Sequence, residues 1–118
     1  MFVNYIKNNF ENISDVNTVL WSAEMTTIIS SVKCTNLTDD VIEISLKDIQ
    51  LLQSPETSAY IRYKVELKPR ETKNLLVDCF NIEDEHTLLN GDNLIIFSNS
   101  FSEVFSCSMI GYELVETA

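Results

Sequence analysis

Apolar and polar residues alternate along most of this chain with a period of two. In Tyr60–Lys68, Ile61, Tyr63, Val65 and Leu67 share one face, and Arg62, Lys64, Glu66 and Lys68 share the other. A helix would scatter those four apolar side chains around its circumference, so the spacing predicts a half-buried strand. Val41–Asp48 repeats the pattern with Ile42, Ile44 and Leu46 inward. Thr26–Thr35 is rich in β-branched residues, with Ile28, Val32 and Cys34 expected on one face. Val16–Ala23, Lys73–Asp78, Asn93–Ser98 and Phe105–Glu116 supply the remaining strand candidates.

The breaks between these runs use Asn, Asp and Ser more than Gly and Pro. Asn36–Asp40 joins two alternating runs and reads as a hairpin loop. Gln53–Ala59 is a longer connection containing Pro55, and Pro69–Thr72 opens a tight turn because proline presets φ at the first corner. Asn90, Gly91 and Asp92 form the strongest turn signal, since Asn and Gly both tolerate positive φ. Glu83–His86 and the following Thr87–Leu89 read as an irregular or short helical turn. Seven or eight short strands with no intervening helices predict an all-β fold. The expected form is an antiparallel β-sandwich, immunoglobulin-like or a small jelly roll. Residues 1–15 are expected to be an N-terminal arm or edge strand, and residues 16–118 one sandwich domain.

Composition narrows the function classes. With 18 acidic and 8 basic side chains among 118 residues, the formal net charge is -10. Such a mean field repels phosphate polymers and anionic lipid, so neither a nucleic-acid surface nor a membrane surface is expected. The opening residues lack a basic segment followed by a continuous apolar stretch, so no secretion signal is expected. The three cysteines, Cys34, Cys79 and Cys107, are widely spaced, contain no Cys-x-x-Cys, and lie within two residues of apolar side chains. They fit free buried thiols better than a disulfide framework or a zinc knuckle.

Little points to catalysis. His86 is the single histidine, and no nucleophile elbow, zinc-protease motif, phosphate loop or dinucleotide fingerprint occurs. No catalytic residues, metal ligands, cofactor or small-molecule substrate are therefore expected. Glu83–His86 has metal-ligand residue types, but the Asp-x-Asp-x-Asp-Gly spacing of a calcium loop is missing, which favours a solvated acidic loop.

Charge placement is more informative. Arg62, Lys64, Lys68, Arg70 and Lys73 form a basic stripe on an acidic molecule, followed by Asp78, Glu83, Asp84 and Glu85. The stripe is either a solvated strand face with cross-strand ion pairs or a contact surface that meets an acidic patch on a neighbouring copy. Phe2, Tyr5 and Phe10 make the N-terminal segment aromatic, which suits either an edge strand that completes the core or an anchor on a neighbouring subunit.

In order, these segments resemble small virion structural proteins of tailed bacteriophages. The likeness runs through Asn17–Trp21 (NTVLW), Met25–Asn36 (MTTIISSVKCTN), the Pro69–Thr72 turn, Leu88–Leu94 (LLNGDNL) and Ser108–Leu114 (SMIGYEL). It spans residues 16–114, with departures at Glu24, where the family pattern has Pro, and at Gly111–Tyr112, where it has Ser-Tyr. The resemblance implies a non-enzymatic β-sandwich of the neck, tail or capsid surface. Such a protein forms homo-oligomers, contacts portal, neck, tail or capsid proteins, and is assembled into the virion in the host cytoplasm. The alternative is a cellular ligand- or carbohydrate-binding module, for which Trp21, Tyr60 and Tyr112 are the candidate aromatics.

Overall fold

The structure, a computed structural model, describes residues 2–50, 57–77, 84–102 and 104–116. Among them are nine strands and no helix. They are β1 (Phe2–Ile13), β2 (Thr18–Ser22), β3 (Thr27–Asn36), β4 (Ile42–Gln50), β5 (Thr57–Leu67), β6 (Thr72–Asn74), β7 (His86–Leu88), β8 (Asp92–Ser98) and β9 (Phe105–Val115). Cys79 and the acidic residues Asp78 and Glu83 lie outside the described residues.

The strands form two antiparallel sheets. One has the order β1-β9-β3-β6, with β7 also on β3; the other has the order β2-β8-β4-β5. Successive strands mostly change sheet, and β9 returns between β1 and β3 just as β8 returns between β2 and β4. This interleaving is the jelly-roll order, which decides between the two sandwich topologies left open by the sequence. It also corrects the hairpin expected at residues 36–40, because β3 and β4 belong to different sheets and the loop arches across the sandwich.

Asn36 holds that arch. It is fully buried, and its Nδ2 donates to the carbonyls of Asp40 (2.7 Å), Leu67 (3.0 Å) and Lys68 (3.1 Å). Its Oδ1 accepts from the Thr38 N–H at 2.9 Å and the Thr38 hydroxyl at 2.7 Å. One amide thus ties the β3–β4 connection to the end of β5. A buried side chain satisfied on every polar atom is worth far more than one left open.

The core lies between the sheets and includes Leu20, Ile29, Val32, Ile44, Leu46, Leu67, Leu94, Ile96, Phe105 and Met109. Ile42, Ile44 and Leu46 point inward as the alternation predicts. In β3 the inward residue is Ile29, not Ile28. Ser30 is an extra residue between the Ile29–Gly111 and Ser31–Ile110 pairs, and this bulge reverses the face. In β5, Ile61, Val65 and Leu67 meet the core but Tyr63 is exposed. Two bulges interrupt β5, Lys64 has φ 50°, and the Ser45 hydroxyl accepts the displaced Lys64 N–H at 3.0 Å. Of the residues expected to make an irregular or short helical turn, Asp84 and Glu85 are irregular and His86–Leu88 form strand β7, stitched to Thr27–Ile29.

Both predicted turns form. Asp92 N–H donates to the Leu89 carbonyl at 2.9 Å, with Gly91 at φ 95° in the third position, the type II arrangement. Glu71 N–H donates to the Lys68 carbonyl at 3.0 Å, with Pro69 second and Arg70 third at φ 61°. Gly111 is needed for a different reason. A Cβ there would stand 2.3 Å from the Ile28 carbonyl oxygen, so β3 and β9 can approach this closely only over a glycine.

Candidate interaction surface

The sequence-predicted contact residues divide between opposite sides of the sandwich. β1 carries Phe2, Tyr5 and Phe10 at one edge of its sheet, whereas β6 with Lys73 lies at the other edge. Tyr5 is 78% exposed and meets Tyr112 edge-on, with ring centres 6.2 Å apart. Phe2 is exposed, while Phe10 turns inward and packs on the core. The aromatic segment is therefore an edge strand that both completes the core and leaves apolar surface in solvent.

The basic residues do not form a regular face. The β5 bulges set Arg62 opposite Leu46, half-buried, where its guanidinium lies 3.9 Å from Asp84. Arg70 pairs with Asp39 at 3.2 Å; Lys73 lies 3.9 Å from Glu71 and donates to the Glu66 carbonyl at 3.2 Å. Lys64 sits 5.3 Å from the centre of the Tyr63 ring, and the Lys68 backbone N–H is bound by the Glu71 carboxylate at 3.0 Å. Arg62, Arg70 and Lys73 thus have partners within the chain, which takes up much of the charge that a neighbouring acidic patch would use. Exposed pairs of this kind add little stability.

Apolar groups outside the expected subunit-contact residues occupy the outer faces. On the β2-β8-β4-β5 sheet, Val19, Ile95, Lys47 and Tyr60 stand side by side in one cross-strand row. Ile95 is only 7% exposed yet lies outside the core cluster, because its neighbours on the outer face cover it. Lys47 Nζ sits 5.2 Å from the centre of the Phe97 ring, laying its charge over another outward aromatic. Tyr60 and Tyr63 are about half exposed and pack edge-to-face at 4.7 Å. Among loop residues, Phe101 is 92% exposed beside a concavity of about 460 Å³ that Val41 and Ser100 help to line. Trp21, by contrast, is half-buried against the core with its Nε1 sealed from solvent, so it is no surface platform.

One polar cluster joins the sheets. His86 Nε2 on β7 lies 2.9 Å from Asp48 Oδ2 on β4, so its N–H donates to a carboxylate that is 4% exposed. Asp92, buried at the start of β8, accepts the Leu89 N–H on Oδ2 at 3.0 Å. Burial pushes the Asp92 carboxyl up from its ordinary value. The Leu89 N–H pulls it down, the Asp48 carboxylate with its hydrogen bond pushes it up again, and His86 opposes this weakly. A protonated Asp92 can donate to Asp48, whose Oδ1 has no other partner among the described residues. His86 is thereby engaged in holding the sheets together, and no group of three metal-ligating side chains occurs among the described residues. The two described cysteines, Cys34 and Cys107, face each other across β3 and β9 as free buried thiols. Burial raises Cys34 well above the usual thiol range, and Cys107 adds to the effect.

Compared with family models, curated proteins and solved structures, the chain matches none.

Proposed function

We propose that this chain is a non-enzymatic structural protein of a bacteriophage particle, which self-associates and contacts other particle proteins at the neck, tail or capsid surface. The observation that carries this reading is the apolar surface on the outer faces of both sheets. Tyr5 and Tyr112 lie on one; Val19 and Tyr60, on either side of the covered Ile95, lie on the other. A two-sheet sandwich needs apolar residues only between its sheets, so aromatic and aliphatic groups clustered outside mark contact surface. The jelly-roll order supports the particle assignment by analogy, since capsid domains commonly use it, and the sequence resemblance points the same way. The acidic background suits a protein beside packaged DNA, because it repels phosphate.

Sedimentation analysis of the purified chain tests the proposal. A closed oligomer, or assembly only on isolated heads or tails, supports it; a monomer that binds glycans overturns it. The glycan-binding alternative has one observation in its favour, the outward Tyr60–Tyr63 pair with Lys64 beside it. These rings meet at 68°, so they offer one ring face and one edge, not a flat double platform. A glycan array probed with the native chain and with Tyr60→Ala/Tyr63→Ala separates the readings, because specific binding lost in the double variant requires the sugar site.

A further inference from the structure

Sheet edges offer unpaired backbone N–H and C=O groups to other chains, and proteins normally blunt them with bulges, short strands or charge. Three edge regions of this sandwich are blunted. β6 and β7 have three residues each, and β2 has five with a bulge. β5 has two bulges, a left-handed Lys64, and Arg62 and Lys64 along its length. β1 differs. From Phe2 to Phe10 it pairs with β9 without interruption, contains no proline, and bears one charge, on Lys7. The irregularity at Asn12, with φ 58°, comes only after this stretch. Its other edge pairs with no strand among the described residues.

We propose that β1 pairs antiparallel with β1 of a second copy, with the two-fold axis passing beside Ile6. The proposal rests on the self-association reading above and names its surface. The register follows from face and charge. The alternation puts Asn4, Ile6, Asn8 and Phe10 on the side facing the other sheet, and Val3, Tyr5, Lys7 and Asn9 on the outer side. Two-fold pairing must keep each face continuous, so the axis falls beside a residue and not between two. An axis at Lys7 sets that lysine opposite its own copy, a like-charge pair directly opposed. An axis at Tyr5 leaves Asn9 and Phe10 unpaired and sets Lys7 against Val3. An axis at Ile6 uses the whole regular stretch. It sets Phe2 against Phe10, Asn4 against Asn8, Val3 against Asn9, and the Tyr5 ring against the Lys7 ammonium of the other copy. The two β1-β9-β3 sheets become one continuous sheet, and both bare edges disappear in an isologous contact.

Cross-linking tests the register directly. Tyr5 and Lys7 are exposed, so Tyr5→Cys and Lys7→Cys chains keep their packing. Both are made in a Cys79→Ser background, given distinguishable tags, mixed, and oxidised with diamide. Directly opposed residues in an antiparallel pair lie within disulfide range. The expected product is the mixed disulfide that joins a Tyr5→Cys chain to a Lys7→Cys chain, roughly tenfold over the link between two copies of either variant. A predominant link between two Tyr5→Cys chains, or between two Lys7→Cys chains, overturns the register. An oligomer by sedimentation that yields no link through these positions overturns the β1 contact and leaves self-association standing. A chain that sediments as a monomer at every concentration, with no link even on isolated heads or tails, overturns both.

Discussion

Replacing Gly111 with alanine tests the closest backbone contact in the fold. The added Cβ would stand 2.3 Å from the Ile28 carbonyl oxygen, 3.1 Å from the Ile29 Cα and 3.3 Å from the Ile28 carbonyl carbon. A comfortable carbon–oxygen contact is about 3.3 Å, so β3 must retreat from β9 by about 1 Å. No flexible side chain can move aside, because all three neighbours are backbone. β9 lies between β1 and β3, with Gly111 opposite Ile29 on one side and Ile6 on the other, so retreat disturbs a central strand. Overpacking costs about 1–3 kcal/mol, and weakening two ladder hydrogen bonds adds about 1 kcal/mol each. The expected loss is about 3–5 kcal/mol, a large share of the stability of a domain this size. Thermal unfolding should fall by about 12–20 °C at about 4 °C per kcal/mol. Urea melts of the native chain and Gly111→Ala measure this, with Ser106→Ala on the outer face of β9 as a control expected within about 0.5 kcal/mol. A Gly111→Ala midpoint within about 1 kcal/mol of native would refute the argument from backbone contact.

Three further substitutions follow from the geometry. Asp92→Asn should raise the melting temperature at neutral pH, because the new amide can still accept from Leu89 while giving Asp48 a donor, worth about 1 kcal/mol. The raised Asp92 carboxyl binds its proton more tightly folded than unfolded. Its contribution to stability is therefore full below the unfolded carboxylate pKa and lost as pH rises through the folded one. Asp92→Asn should flatten that decline in a series of melts, and an unchanged slope would refute the assignment. Asn36→Ala removes the amide that serves three carbonyls and leaves buried acceptors open, so urea titration should show a loss of about 3 kcal/mol; a loss under about 1 kcal/mol would show that the arch does not depend on it. Arg70→Gly should gain about 0.5 kcal/mol. Relief of a left-handed φ outweighs the exposed Asp39 pair and the extra freedom of the unfolded chain, and salt, by screening that pair, should raise the gain slightly.

How far these features could be read from the chain depends on how local their causes are. Alternation in β4 and the two type II turns are set by neighbouring residues, and they appear where the sequence places them. Bulges depend on the partner strand. Ser30 and Lys64 carry no signature of their own, so Ile28 and Tyr63 moved to the opposite face from the one predicted. The loop at residues 36–40 has ordinary turn chemistry. Whether it closes a hairpin or arches between sheets depends on Leu67 and Lys68, whose carbonyls Asn36 reaches across the fold.

The contact surface shows the same division, with one signal that could have been used. A strand packed on one face needs apolar residues at alternate positions only. β8 reads Asp92-Asn93-Leu94-Ile95-Ile96-Phe97-Ser98, and its inward residues Leu94 and Ile96 already satisfy the core. Ile95 and Phe97 are surplus, and the surplus falls on the outer face beside Val19, Lys47 and Tyr60. β1 has the same excess, with Val3 and Tyr5 outward while Ile6 and Phe10 serve the core. Apolar residues on both parities of a strand are the mark of burial on both faces. Ile95 finds its second cover within the chain, among its outer-face neighbours, whereas Val19 and Tyr60 beside it stay exposed. The basic stripe, which looked like the stronger signal, is largely answered within the molecule by Asp39, Glu71 and Asp84. Charges find partners by flexible reach. An aromatic or aliphatic side chain fixed on the outer face of a sheet has no such reach, and its unmet burial therefore points more directly to a neighbour.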